Sequence, residues 1–368
     1  MAISPQETIR RQNLGALLRY VHLRGATSRA ELTAGLGLNR STIRALATEL
    51  AAAGLVREEI PPASGRAGRP SPVVRTNSAS CYAYALTVQR DHLRAACVGL
   101  GGRILDSFTA RLSPGTGRTE TVAILARLLG RLQAQAPPGG ALLGYAVAVS
   151  ADGPSATELA AALPHDRPLL IGTPADLAAR AEHARGAARG LSNIVYLHGD
   201  AGISAGILTG GQAVTGHGGF GGQVGHMVVD PVGHRCRCGS RGCWETEAGE
   251  PALLRRSASG DALTVLAAAR AGDDASRASV RDVARWLGHG VANLVNILDP
   301  EVVLFGGVLR EVYLAAADEV RARVSGMVLP AFREGVRLGV PLLGEDAPLI
   351  GAAELAFESL LNDPLNGV

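Results

Sequence analysis

The chain has 368 residues, 47% of them apolar and 4% aromatic, with a net charge of +3. This is a globular composition, long enough for two or three domains. No apolar run reaches the roughly 18 residues that span a bilayer. Met1–Arg11 lacks the apolar core of a secretory signal, so a cytoplasmic protein with no membrane partner is expected. All the basic residues are Arg, and they are unevenly spread. Residues 1–75 hold 11 Arg against 5 Glu, and the remainder holds 25 Arg against 28 Asp and Glu. A basic head on a mildly acidic body predicts that the head meets a polyanion.

The head reads as three helices and a strand. Gln12–Tyr20 has Leu14, Leu17 and Leu18 on one face. Ser28-Arg-Ala-Glu31 is a capping box that starts a second helix near Arg29. Gly35–Leu38 breaks it, and Asn39 caps a third helix over Arg40 to Ala53, with Ile43, Leu46 and Leu50 inward. Gly54 ends that helix and a strand begins at Leu55. Helix, short glycine turn, helix is the helix-turn-helix arrangement, and the following strand suggests a winged variant. The third helix would then read a DNA duplex with its first residues. The candidate DNA contacts are Ser28, Arg29, Asn39, Arg40, Ser41, Thr42 and Arg44. Arg66 and Arg69, in the basic stretch Ser64–Pro70, could enter a minor groove or grip phosphate; a plain linker is the other reading.

From Tyr82 the apolar period changes to two. Strands are expected at Tyr82–Val88, Leu93–Val98, Arg103–Thr109 and Leu142–Ser150, then Ile194–His198 with Ile203–Leu208, Val302–Phe305 and Val336–Leu342. Helices are expected at Thr119–Gln135, Ala175–Arg189, Pro251–Arg256, Ala262–Ala271, Arg281–Leu298, Tyr313–Val324 and Pro348–Leu361. Pattern alone gives an α/β body over 79–368 behind a head over 1–78. Its two lobes would be about 79–190 with the C-terminal helix, and 191–348.

The densest chemistry runs from Gly225 to Glu247. Cys236, Cys238 and Cys243 lie within eight residues, and His226 sits ten positions before the first of them. Thiolates and a neutral imidazole suit tetrahedral Zn²⁺, and four protein ligands leave no open position. A closed, structural zinc site is expected, with Gly239 and Gly242 folding the loop back. His234, inside the loop, is the rival nitrogen. Free thiols in a metal pattern also suit a reducing compartment.

The run G-H-x₉-C-x-C-G-x₂-G-C-x-E over Gly225–Glu245 resembles the signature of the ROK family, which contains repressors, open reading frames and sugar kinases. The resemblance implies a duplicated, actin-like (ribonuclease-H-like) α/β body whose zinc loop braces a sugar pocket. It implies sugar contacts at His226 and Glu245, and at Gln223, where the family usually has Glu. The head's S-R-x-E-L, G-L, G-L-V and G-R-P succession is similar to that of ROK repressors, and ROK sugar kinases generally lack such a head. The resemblance also locates the kinase machinery. The first phosphate loop, D-x-G-G-T in the kinases, is Thr87-Val-Gln-Arg-Asp91 here. The Asp of their N-D-A-N stretch, the catalytic base, is replaced by Pro174, and their second phosphate loop, G-T-G-I-G, is Asp200-Ala-Gly-Ile-Ser204. Asp176 would be a displaced base two positions on, or simply a first-turn acid favoured by the helix dipole.

The expectation is a DNA-binding regulator without phosphotransfer, controlled by a sugar or sugar derivative. It would bind a pseudo-palindromic operator as a dimer or tetramer. The alternatives are an ATP-dependent sugar kinase with an added head, and a repressor with a vestigial pocket.

Overall fold

The computed structural model describes residues 5–60, 71–89, 91–113, 115–150, 152–164, 166–200, 202–255, 261–332 and 335–366. It divides into two compact units, residues 1–172 with 352–368, and residues 173–351. The head clusters with the first unit and does not stand apart.

In the head, α1 (Pro5–Arg24) is followed by a two-residue β1 (Thr27–Ser28), α2 (Arg29–Leu36) and α3 (Arg40–Ala52). Leu14, Leu17, Leu18, Leu32, Ile43 and Leu50 are fully buried between the three helices. Each such side chain contributes roughly 2 kcal/mol of transfer free energy. The Ser28–Glu31 capping box forms in both directions, and Asn39 caps α3. Gly37 makes the turn between them in the left-handed region, at φ +65°. β2 (Val56–Glu59) pairs antiparallel with β3 (Val73–Thr76), which pairs with β1. This three-stranded sheet is the wing. The first helix is longer than its expected Gln12–Tyr20 because Val21 and His22 are buried as well. Ser64–Pro70, read as wing or linker, lies outside the described residues.

The rest of the first unit is one five-stranded sheet, ordered β6-β5-β4-β7-β8. Its strands are β4 (Cys81–Val88), β5 (His92–Gly99), β6 (Arg103–Arg111), β7 (Ala141–Ala148) and β8 (Leu169–Gly172). The first three pair antiparallel; β4, β7 and β8 run parallel. α4 (Arg118–Gln133) and α5 (Ala156–Ala162) make the crossovers.

The second unit repeats the pattern. After α6 (Pro174–Arg185) come β9 (Ile194–Gly199), β10 (Ile203–Thr209) and β11 (Gln212–Ala213). Four helices follow: α7 (Trp244–Ala248), α8 (Glu250–Leu254), α9 (Ala262–Ala271) and the 25-residue α10 (Asp274–Leu298). Then come β12 (Val302–Gly307), α11 (Val308–Ala315), α12 (Ala317–Met327), β13 (Arg337–Gly339) and α13 (Ala347–Asn362). The sheet order, β11-β10-β9-β12-β13, matches that of the first unit strand for strand, with the same antiparallel and parallel halves. The body is therefore the duplicated α/β fold implied by the resemblance.

Three expectations are corrected. The single helix expected at Tyr313–Val324 is two helices, broken where Ala316 leaves the helical region (φ −144°, ψ 44°). No Gly or Pro stands at that break to announce it. The last strand is short, and β3, α5, β8 and α7 were not expected at all. Among the described residues no helix is long and apolar enough to cross a membrane.

Candidate functional site

The cysteine loop is shaped by backbone pairing. A short 3₁₀ turn, Val224–His226, delivers His226. The chain then runs antiparallel to its own return: Val228 bridges Cys243, and the Trp244 amide donates to the Met227 carbonyl at 2.8 Å. Arg235 bridges Arg241 at the tip. Gly242 has φ +64°, and a Cβ there would lie 1.4 Å from the Asp230 carbonyl oxygen, so only glycine fits.

This folding brings four donors together. The ligand atoms of His226, Cys236, Cys238 and Cys243 lie within 4.8 Å of one another. Cys236 Sγ is 3.7 Å from His226 Nδ1, and Cys238 Sγ is 3.6 Å from Cys243 Sγ. A tetrahedron with metal–sulfur bonds of ~2.3 Å has edges of about 3.8 Å. The cluster thus fits a four-coordinate metal with no position left over. Burial pushes the Cys236 and Cys243 thiols up, whereas the Ser240 amide draws Cys238 down. His234 is engaged elsewhere: its amide and its Nδ1 both meet the buried Glu247 carboxylate, which also pairs with Arg255.

Glu245 sits in the first turn of α7 and is only 6% exposed. Its Oε1 accepts from the Cys236 thiol at 3.2 Å and lies 3.8 Å from His226 Nδ1. Trp244 beside it is fully buried, donates to the Trp286 carbonyl at 2.8 Å, and packs so tightly on Gly290 that a Cβ there would be 2.0 Å from the ring. That anchor fixes the direction of Glu245. The third candidate, Gln223, is exposed at the start of the 3₁₀ turn. One neighbour escaped the sequence reading. Arg237, between two of the cysteines, places Nε 3.6 Å from Glu245 Oε1. Only its adjacency to the motif could have signalled it.

At the kinase-machinery positions the structure shows the following. Thr87 is the penultimate residue of β4, buried, with no partner for its hydroxyl. Pro174 opens α6 behind its N-cap Thr173. Asp176 accepts from the Thr173 hydroxyl at 2.8 Å, and burial raises its pKa. Asp200 lies in the tight β9–β10 turn, its amide donating to the Gly202 carbonyl at 3.0 Å. Just before it, the His198 Nδ1 is shut from solvent and unpartnered, and burial pushes this imidazole down to about 4, so it is neutral near pH 7.

In the head, Arg40, Ser41 and Arg44 are exposed around the first turns of α3. Asn39 is occupied as its cap, accepting from the Thr42 amide at 2.8 Å and the Ser41 hydroxyl at 2.7 Å. Ser28 caps α2. The Arg29 guanidinium holds the Glu58 carboxylate through two nitrogens, one at 2.8 Å. Arg66 and Arg69 lie outside the described residues.

Comparison with known proteins agrees with this organisation. The model of the ROK family matches residues 151–359, more than half of the chain. The xylose repressor of Bacillus spizizenii is 26% identical over 98% of this chain and 99% of its own length. The glucokinase of Thermotoga maritima is 33% identical, over 48% of this chain and 61% of its own. Among solved structures, a ROK family transcriptional regulator homologous to the E. coli MLC protein superposes with a TM-score of 0.76 at 22% identity, covering 97% of this chain and 98% of its own. A ROK glucokinase from Streptomyces griseus gives 0.63 at 24%, covering 74% and 98%. The chain belongs to the ROK family, and both the xylose repressor and the regulator structure match it from end to end, head included.

Proposed function

We propose that this chain is a DNA-binding transcriptional repressor in which a metal-braced, catalytically silent sugar-kinase body senses a sugar. The observation that carries the reading is the three-helix head with its three-stranded sheet, with Arg40 and Arg44 exposed on the leading turns of α3, in a chain matched over 98% of its length by a xylose repressor. DNA contact is assigned to Asn39, Arg40, Ser41, Thr42 and Arg44, with Ser28 and Arg29 shaping the approach of α2. Arg66 and Arg69 add positive charge to the head. A dimer or tetramer on a pseudo-palindromic site follows from the small footprint of one head.

The sugar is assigned to Gln223, His226 and Glu245, and Zn²⁺ to His226, Cys236, Cys238 and Cys243. Zinc there has no open position, so its part is structural: it fixes the ring of His226 and the loop in front of Glu245. Phosphoryl transfer needs phosphate cradles, a metal carboxylate and a base. Pro174 has no proton acceptor, Thr87 no carboxylate, and Asp200 sets a negative charge where phosphates would lie. Asp176 is held by Thr173 in the first turn of α6, its amide donating to the Thr173 hydroxyl and its carboxylate accepting from it, which is the geometry of a helix-capping pair.

The partial likeness to glucokinases makes D-glucose worth testing beside D-xylose. One of these sugars, at a hundred times its Kd, should stabilise the purified chain by ~2.7 kcal/mol, a shift of several degrees in Tm. Glu245→Ala should abolish the shift. No turnover of ATP is expected with either sugar. Turnover that Asp176→Asn removes would restore the kinase reading.

A further inference from the structure

The candidate sugar residues are far along the chain from the head, yet a line of unusually close contacts leads from one toward the other. Gly222 and Gly225, flanking Gln223 and preceding His226, lie on β10: Cβ atoms there would be 1.9 Å from the Ala205 carbonyl oxygen and 2.3 Å from that of Ile203. Gly206 on β10 meets α6 as closely, 2.2 Å from the Ala175 carbonyl oxygen. Gly351 on α13 meets α6 in turn, 1.8 Å from the Leu177 carbonyl oxygen. The buried Glu182 of α6 also accepts from the Leu342 and Leu343 amides, at 3.1 and 2.7 Å, tying α6 to the segment that enters α13. Each step is backbone against side-chain-free backbone or a buried charge on amides, and neither can slip without breaking.

The chain passes between the units twice, at 172/173 and at 351/352, and the second crossing lies inside α13. A continuous helix cannot bend sharply without cause, so what displaces its first turn displaces the rest. The rest holds the head. Glu358 accepts from both terminal nitrogens of Arg19, at 3.2 and 2.9 Å; Asn362 joins the same guanidinium at 3.0 Å, and Asp363 meets Arg11 at 3.3 Å. Gly15 of α1 sits where a Cβ would be 2.6 Å from the Leu361 carbonyl oxygen. Deepest is His22, fully buried on α1. Its Nδ1 accepts from the Gly101 amide at 2.9 Å, which leaves the proton on Nε2, and Nε2 donates to Glu354 at 2.9 Å.

We propose that α13 is the transmission element between the sugar-site segment and the DNA-binding head, and that the His22–Glu354 bond is its joint. The proposal rests on the effector reading above. His22 is a positioning residue: it touches neither DNA nor sugar, and it fixes α1, on which α2 and α3 pack.

The test uses the full chain with His22→Leu, which fills the site but removes both hydrogen bonds, and His22→Gln, which can donate to Glu354 and accept from Gly101. Duplex affinity is measured by fluorescence anisotropy with and without the sugar, D-xylose or D-glucose, that raises the Tm of the parent. Binding of that sugar is measured separately by calorimetry. The parent and His22→Gln should change duplex affinity about tenfold with sugar, within the ordinary range of allosteric coupling. His22→Leu should bind the sugar within twofold of the parent and change duplex affinity less than twofold. An undiminished sugar response in folded His22→Leu would overturn the proposal.

A second arm needs no sugar. Gly206→Ala, which wedges β10 from α6, and Glu182→Gln, which loosens α6 from the segment before α13, should alter duplex affinity and amide exchange across α1. They should not do so when His22→Leu is also present. Unchanged exchange in α1 for both variants would equally overturn the role of α13. If neither sugar binds the parent, the effector reading falls, and this second arm decides the role of α13 by itself.

Discussion

Purified chain should carry about one zinc per molecule, and Cys243→Ser should lose it. The effect on stability should be the largest of any single change outside the cores. A structural zinc contributes ~10 kcal/mol or more to small domains that fold around it. Here the loop also leans on Trp244, which is anchored in the core against Gly290 of α10. A loss of at least ~3 kcal/mol is therefore expected for the second unit, an apparent Tm lower by about 6–12 °C in a domain of this size. The Cys243 thiol is fully buried in the return strand, so a serine there puts an uncompensated hydroxyl in the same space. Treatment with a strong chelator should reproduce the shift in the parent and add nothing to Cys243→Ser. Metal analysis and a melting curve check both halves. A Cys243→Ser protein with full zinc and an unchanged Tm would remove the metal from the assignment.

Arg40→Ala with Arg44→Ala should weaken binding to the preferred duplex by about three orders of magnitude or more. Each good arginine contact to a base is worth ~1–3 kcal/mol, and a dimer loses four of them. The loss should have two signatures. Discrimination between the preferred duplex and random DNA should shrink, because in the proposed docking α3 would present these side chains to base edges. The slope of log affinity against log salt should also become shallower by the ~0.9 owed to each phosphate contact removed. Anisotropy titrations at two or more salt concentrations measure both. The Tm should hold, since both guanidinium groups are exposed. Arg29→Ala differs: it releases Glu58 on the wing strand and should cost stability as well as affinity.

Some of this was legible from local chemistry alone. The capping box at Ser28–Glu31 and the cap at Asn39 are written within four residues each, and both helices start where those signals put them. The four-donor cluster was readable because three of its members lie within eight residues, so loop geometry alone limits how far apart they can be. The family motif then supplied what periodicity could not, the duplicated sheet order shared by the two units.

What was missed is what depends on distant partners. Val73–Thr76 was not expected as a strand, because a strand of four residues gains its identity from pairing with Val56–Glu59. His22 lies beyond the helix that the apolar pattern marks; its burial and its bond to Glu354, 332 positions away, have no local signal. The break at Ala316 lies in a run of alanines that favours helix, and only packing overrides it. Arg237 beside Glu245 is of the same kind, a contact made by the fold of the loop rather than by its spacing.

The proposed function stands on this chain reading DNA. It is tested most directly by exposing the purified protein to a pool of random duplexes, recovering the bound fraction through several rounds and sequencing it. One inverted repeat should be enriched, with half-sites about one helical turn or a multiple of it apart, and the enrichment should be lost in Arg40→Ala with Arg44→Ala. A folded, zinc-loaded protein that enriches no sequence, or enriches one equally well without those arginines, would contradict it.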